Sequence, residues 1–453
     1  MAPLRPADDV PVERASAIDM MELVSDVGPA PAQVGAVLVL SPGGDLGAEA
    51  VRGALADRIR GVPRLRQRLV GTPLGCGRPV WIDDEHFDIA HHVDTVRCPS
   101  PGDEHALLRV AAEAVTRRLP ADRPLWSATL VTGLAGGGCA LVVVFHHVLA
   151  DGMGGLAVLA TLVDGVTRPP PRPFPGPRPT WRRLAQEATA ARMRALTGLA
   201  RLPASVGDAL AELRPGAAPL GPRCSLNRPV GPRRRFGVVR ADLDRVRSVG
   251  RARGATVNDV VLAAASGALG TLLAQRGERV DHVVASVPVS GRADAAVAQL
   301  GNQVGVIPVR LPTAGRPLDR LASIAVATRA RKTGSRGASA ALLAPVFRGL
   351  AALGVLRWLI ERQRMVTTFV TNLRGPGAPA SFLGSPVAEV LPLTAVTGNV
   401  AVAFAVLSYA GTLAVTVTVD ADAVPDAGLL VDALRDELDA VTRAAPGVRR
   451  PGP

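Results

Sequence analysis

The chain has 453 residues, 48% of them hydrophobic, which is ample for a sizeable core and too apolar for a disordered protein; the length suggests two or three domains. Its formal net charge is +13, yet Lys332 is the only lysine: the excess is arginine, dispersed except for Arg64-Arg66-Arg68, Arg182-Arg183 and Arg233-Arg234-Arg235. Aromatic residues make up 3%, too few for base-stacking platforms, so nucleic acid is not an expected partner; dispersed arginine suits CoA phosphates, anionic headgroups or solubility.

In chain order, residues 1–20 are acidic and lack the apolar core of a signal peptide, so the protein is expected in the cytoplasm and not to be secreted. Gln33 to Leu40 reads as a strand between Pro31 and the Ser41-Pro42-Gly43-Gly44 turn, and Leu46 to Ile59 as a helix. Extended chain resumes at Arg78-Pro79-Val80-Trp81. Pro101 to Arg118 has helical spacing in Leu107, Leu108, Ala111 and Val115. Leu125 to Gly133 and Ala140 to Phe145 form a predicted hairpin around Ala135-Gly136-Gly137-Gly138, followed by a helix from Gly154 to Val166. Arg168 to Pro177 is too proline-dense for helix or sheet interior and acts as a spacer.

Beyond the spacer, Trp181 to Leu213 reads as helix, Arg235 to Asp242 as strand and Asp242 to Arg253 as helix. Thr256-Val257-Asn258-Asp259 caps an apolar helix from Val260 to Leu273. Strands follow at Val283 to Val289, Val304 to Leu311 and Met365 to Val370, and a last helix at Gly428 to Thr442. The expected division is a first lobe at 1–167, a linker with a connecting helix at 168–230, and a second lobe at 231–453, both lobes mixed α/β (α+β). Two apolar stretches need a membrane test. Val390 to Val419 has no charge, but turn signals at Thr397-Gly398-Asn399 and Tyr409-Ala410-Gly411-Thr412 make it a buried hairpin. Ala340 to Leu359, interrupted by Arg348 and Arg357, reads equally as an interfacial helix or a core helix. Cys76, Cys98, Cys139 and Cys224 are widely spaced without a CxxC, as packed, reduced thiols with no metal site.

The residues with the clearest chemistry are Phe145-His146-His147-Val148-Leu149-Ala150-Asp151-Gly152, at the end of a predicted strand. Imidazole accepts and returns a proton near neutral pH, and a strand end puts it where substrate reaches it. Together with its neighbours this block resembles the bacterial wax ester synthase/diacylglycerol acyltransferases, relatives of the CoA-dependent acyltransferases and condensation domains. The likeness runs through Ser16-Ala17-Ile18-Asp19, Gly77-Arg78-Pro79-Val80-Trp81, Phe87-Asp88-Ile89-Ala90-His91-His92-Val93 and Arg123-Pro124-Leu125-Trp126. In the second half it includes Val257-Asn258-Asp259-Val260, Val287-Pro288-Val289-Ser290, Gly301-Asn302-Gln303 and Thr371-Asn372-Leu373-Arg374-Gly375-Pro376. The last block departs from the family's usual Ser-Asn-Val-Pro-Gly-Pro, where acceptor choice is open to change.

The resemblance implies two chloramphenicol-acetyltransferase-like lobes with an active-site tunnel between them. It also implies transfer of an acyl group from acyl-CoA to a fatty alcohol or diacylglycerol, giving a wax ester or triacylglycerol without a tightly bound cofactor or metal. His147 is then the general base and His146 its support, while Asp151 is structural, paired with Arg66. Gly152 and Gly155 let the chain pass close to the CoA arm, and Arg292 and Arg374 meet CoA phosphates. Asn258 is either a helix cap or a donor to the acceptor or developing oxyanion; His91 and His92 are structural. The membrane or a lipid-droplet surface is an expected peripheral partner. A carrier-protein thioester in place of CoA, or an idle lipid-binding paralogue, are the rival readings; intact His147 and Asp151 speak against the second.

Overall fold

The computed structural model describes residues 12–443 except 27, 30, 45, 151, 168, 169, 171, 198–219, 291–303, 333–348 and 352. In chain order its first half contains α1 (Ala17–Ser25), β1 (Gln33–Leu40), α2 (Ala48–Arg58), β2 (Gln67–Val70), β3 (Val80–Asp83), β4 (Val93–Arg97), α3 (Glu104–Thr116), β5 (Trp126–Thr132), β6 (Cys139–His146), α4 (Gly152–Leu162) and α5 (Trp181–Thr197). The second half contains β7 (Arg234–Asp242), α6 (Leu243–Ala252), α7 (Val257–Gln275), β8 (His282–Ser290), β9 (Val304–Pro312), α8 (Pro317–Lys332), α9 (Leu356–Ile360), β10 (Thr368–Arg374), β11 (Ser381–Phe382), β12 (Ser385–Leu393), β13 (Val402–Tyr409), β14 (Thr412–Asp420) and α10 (Ala427–Arg443).

Two six-stranded sheets form the lobes, ordered β11-β12-β1-β6-β5-β4 and β7-β14-β13-β10-β8-β9, beside a small β2-β3 ribbon. Both are mixed: β4 runs parallel to β5, and β10 runs parallel to β13 and β8, among otherwise antiparallel neighbours. β6 is a near-continuous apolar run because both of its faces are covered. Leu141, Val143 and Phe145 pack with α2 and α4, and Val142 and Val144 pack with α3.

One departure from the sequence expectation concerns the lobe boundary. Residues 381–393 lie within the predicted second lobe, yet β12 pairs antiparallel with β1, from Gly35↔Leu393 to Leu40↔Val387. The chain leaves the second sheet after β10, adds β11 and β12 to the first, then returns as β13. Leu391 and Leu393 thereby join α3 and Phe236 and Val238 of β7 in one cluster shared by the lobes. Arg240 on β7 clamps the same junction, its Nε 2.7 Å from Glu389 Oε1 on β12 and its guanidinium paired with Glu104 at the start of α3.

Within the uncharged stretch from 390 to 419, β13 and β14 form a buried hairpin joined by Ala410 (φ 45°) and Gly411 (φ 85°), while residues 390–393 end β12 in the other sheet and a non-strand segment, 394–401, connects the two. Two consecutive positive φ angles make the tight turn whose twist matches a hairpin. Helix α7 is the one described helix long and apolar enough to cross a membrane, but 72% of its apolar window is buried inside the protein. It is the core helix of the second lobe, with Leu262, Leu269, Leu272 and Leu273 packed against Phe404, Val415 and Val417. Each such fully buried side chain contributes about 1.5–3 kcal/mol. Cys76 and Cys98 are buried, Cys139 and Cys224 are half-buried, and all four are free thiols; burial pushes Cys98, Cys139 and Cys224 up, away from reactive thiolate.

Candidate active site

The two histidines leave β6 into different environments. Pairing of β1 with β6 puts Gln33 opposite His146, and the His147 amide donates to the Ala32 carbonyl at 2.9 Å, so the strand pairing itself fixes where the pair emerges. His146 is buried at 7% exposure. Its Nδ1 accepts from the Val148 amide at 3.1 Å, which leaves the proton on Nε2, 3.3 Å from Asp26 Oδ2. Asp26 also accepts from the Ala32 amide (2.9 Å) and from Arg118 (2.6 Å). Burial raises the Asp26 carboxyl, but these donors outweigh it and hold the group below the usual carboxylate range. Both ring nitrogens of His146 are thus engaged within the first lobe.

His147 is more open, its side chain 32% exposed, with Nδ1 3.8 Å from Glu22 Oε2. Glu22 and Asp26 were not singled out from sequence. The signal was present: Ser16 and Asp19 form a capping box that starts α1, and carboxylates four residues apart then fall on one helix face.

The second lobe reaches this corner at Gly152. A Cβ there would stand 3.0 Å from Leu373 Cδ2 and 3.6 Å from Thr371 Cγ2, so the missing side chain lets β10 approach the start of α4. Gly155 is buried, and its would-be Cβ stands 3.9 Å from the Phe145 ring, at the packing of α4 on the core.

Asn258 is half-buried and is not the helix cap. Thr256 is, its Oγ1 accepting from the Asp259 amide while Asp259 Oδ2 accepts from the Thr256 amide. Asp259 faces inward to Thr328 at 2.7 Å, which leaves Asn258 outside the capping pattern. Its neighbour Val257 lines a cavity of about 600 Å³ with Asn372, Leu373, Arg374, Ser408, Arg247 and Arg251. Three guanidinium groups therefore border a space whose Leu373 wall also touches Gly152. Arg247 and Arg251, one turn apart on α6, escaped notice because single arginines on an amphipathic helix read as solvated. A larger cavity, about 720 Å³, lies on the helical side of the second lobe; its charged lining is Asp432, Asp436 and Glu437 against the single Arg443, a poor match for an anionic ligand.

Arg66 is buried at 8% exposure; its Nη2 donates to the Arg60 carbonyl at 3.2 Å and its guanidinium stacks 4.1 Å from the Phe174 ring centroid. Burial pushes this guanidinium below its ordinary value. Asp151, its expected partner, and Arg292 lie outside the described residues. Among the described residues no group of three or more His, Cys, Asp or Glu side chains is arranged to hold a metal ion.

His92 is structural, as its block suggests. It is 3% exposed, its Nδ1 stands 2.9 Å from the Trp126 carbonyl, and its ring is stacked between Trp126 (4.7 Å) and Phe87 (5.1 Å). Trp126 Nε1 in turn donates to the Leu65 carbonyl at 2.7 Å. Burial pushes the His92 pKa below its ordinary 6.5, so the folded ring resists a proton that the unfolded chain accepts. Its contribution is thus present above the unfolded pKa and lost as pH falls below about 6.5. Thermal unfolding is expected to show Tm falling over that window, and His92→Asn, which keeps a donor for the Trp126 carbonyl, to flatten the fall. An unchanged slope in the variant removes His92 as its source.

Two mixed sheets bridged by a crossing strand, with a histidine pair at the end of a central strand, set the architecture that the comparisons with known proteins share. Sequence models of the wax ester synthase/diacylglycerol acyltransferase catalytic domain and of the C-terminal domain of the same family match residues 15–261 and 300–442. A protein of Mycobacterium tuberculosis named a probable diacylglycerol O-acyltransferase is 32% identical, covering 98% of this chain and 96% of its own length. Among solved structures, the wax ester synthase/diacylglycerol acyltransferase from Marinobacter aquaeolei VT8 aligns with a TM-score of 0.68 at 25% identity, over 95% of this chain and 99% of that one. The first condensation domain of the calcium-dependent antibiotic synthetase shares the fold, with a TM-score of 0.63 at 20% identity over 97% and 98% of the two chains. The chain belongs to the wax ester synthase/diacylglycerol acyltransferase family.

Proposed function

We propose that the enzyme moves a fatty acyl group from acyl-CoA to the hydroxyl of a diacylglycerol or a long-chain alcohol, with His147 as general base. The observation that carries this reading is the difference in access: the His146 ring is buried, whereas the His147 side chain is 32% exposed at the end of β6, five residues before the point where the second lobe packs on Gly152. His147 takes the proton of the acceptor hydroxyl as its oxygen attacks the thioester carbonyl. The tetrahedral adduct then collapses, the carbon–sulfur bond breaks, and the thiolate leaves as free CoA with the proton returned by the imidazolium. The step needs no enzyme-bound acyl group and no resident cofactor.

Arg374, Arg247 and Arg251 are assigned to the CoA phosphates, because cationic side chains around a cavity of about 600 Å³ suit a polyanionic nucleotide. The tunnel expected between the lobes runs, on this reading, from that cavity past Leu373 and Gly152 to His147. Asn258, beside Val257 on the cavity wall, donates to the acceptor or the oxyanion. Asp151 keeps its structural role opposite Arg66, and Arg292 its CoA contact, as readings of the sequence alone. Peripheral attachment to the cytoplasmic face of the inner membrane or to a lipid droplet has support in one surface. Leu353, Val355, Trp358, Leu359 and Met365 are all exposed, among Arg357, Arg362 and Arg364.

The test offers palmitoyl-CoA to the purified enzyme with hexadecanol or diacylglycerol carried in anionic vesicles. Ester is expected with at least one acceptor, the product ratio naming the preferred one, and the enzyme is expected to float with the vesicles. No ester from folded protein contradicts the reading and redirects it to a carrier-protein donor or an idle lipid-binding role.

A further inference from the structure

Helix α1 lies across the end of β6 and meets both histidines. Its start is set by the capping box, with the Ser16 amide 2.7 Å from Asp19 Oδ2 and the Asp19 amide 3.0 Å from Ser16 Oγ. Its end is set at Asp26, whose amide donates to the Glu22 carbonyl at 3.0 Å. One helical turn therefore separates Glu22 from Asp26, and the two carboxylates stand on one face. Asp26 takes His146 at 3.3 Å, and Glu22 Oε2 stands 3.8 Å from His147 Nδ1. Two successive histidines at a strand end point apart, so no single carboxylate reaches both rings. A helix crossing that end presents one to each.

We infer that Glu22 is a positioning residue for His147: a carboxylate that draws the proton of the ring to Nδ1 and turns Nε2 toward the acceptor hydroxyl. The inference rests on the reading of His147 as the base. An imidazole can accept a proton only at its unprotonated nitrogen, so the tautomer decides which atom works. Carboxylate at Nδ1 favours N–H on that atom and leaves the Nε2 lone pair for the substrate. The 3.8 Å spacing is longer than a hydrogen bond, so the effect is electrostatic and orienting. Both partners are partly open, with side-chain exposures of 27% for Glu22 and 32% for His147, and solvent screening keeps the effect moderate. Among the described residues, His146, Asp26 and Arg118 also carry charge or titrate at this end of β6, and they are joined to one another. Asp151 lies outside the described residues.

The experiment pairs kinetics with a spectroscopic signature on the full chain. Glu22→Leu is expected to lower kcat about tenfold with KM for acyl-CoA within about twofold, while the folded far-UV spectrum is retained. Glu22→Gln, which keeps an acceptor oxygen, is expected to fall between it and the parent. In 15N-labelled enzyme, the His147 resonances, identified by their loss in His147→Ala, are expected to report the Nδ1–H tautomer in the parent and a tautomer mixture in Glu22→Leu. Unchanged kcat in Glu22→Leu, or lowered kcat with the tautomer unchanged, overturns the assignment. His147→Ala keeps two failures apart. Transfer surviving in that variant overturns the base reading itself. Transfer lost there, with Glu22→Leu altering neither kcat nor tautomer, overturns only the role of Glu22.

Discussion

His147→Ala is expected to lower kcat by a factor of about 10³, within the range of about 10²–10⁴ typical of a lost general base, without loss of fold. The structural reason is that His147 holds its place through its backbone, the amide donating to the Ala32 carbonyl at 2.9 Å, and alanine keeps that bond. His146→Ala is expected to behave in the opposite way. It removes the Nδ1 acceptor of the buried Val148 amide and one of the donors to Asp26. An orphaned buried amide costs about 1–3 kcal/mol, so this variant loses stability first and activity through it. Rate measurements beside denaturant unfolding separate the two. Equal loss of activity at equal loss of stability in both variants contradicts the division of roles.

The second large effect concerns the donor. Charge reversal at Arg251 and Arg374 together is expected to raise KM for acyl-CoA about 100-fold, taking about tenfold for each charge-assisted phosphate contact at a solvent-open site. A short acyl-pantetheine thioester, which has no nucleotide, is expected to react equally well with parent and variant. Arg247 is the milder position because Asp244 already stands 3.2 Å from its Nη1. A KM for acyl-CoA unmoved by the double reversal detaches this cavity from the donor, and equal weakening of the pantetheine thioester points to a packing defect.

Much of the scaffold was legible because local patterns and tertiary structure agree. Gln33 to Leu40 is β1 to the residue, and the β5–β6 hairpin follows from two β-branched runs about a glycine turn. The strands that escaped notice have weak local signals. β4 is mostly exposed and polar, and β11 is only two residues long. The crossing of β12 into the first sheet was beyond reach for another reason: its alternation marks a strand, but partner choice depends on contacts hundreds of residues away. At the site, the histidine pair announced itself by residue type. Glu22 and Asp26 did not, since acidic residues in a helix usually face water and only the crossing of α1 over β6 gives them a task. Asn258 shows the reverse error. A cap reading was reasonable from composition, yet Thr256 with Asp259 three residues later is the stronger pattern and is the one the helix uses.

Direct transfer from CoA to the acceptor is the central claim, and rapid-quench measurement of CoA release tests it. With palmitoyl-CoA and no acceptor, no burst of free CoA is expected; adding the preferred alcohol is expected to release CoA and form ester at the same rate. A burst of CoA equal to the enzyme concentration in the absence of acceptor means an acyl-enzyme has formed, and contradicts His147 acting as a base on the acceptor hydroxyl alone.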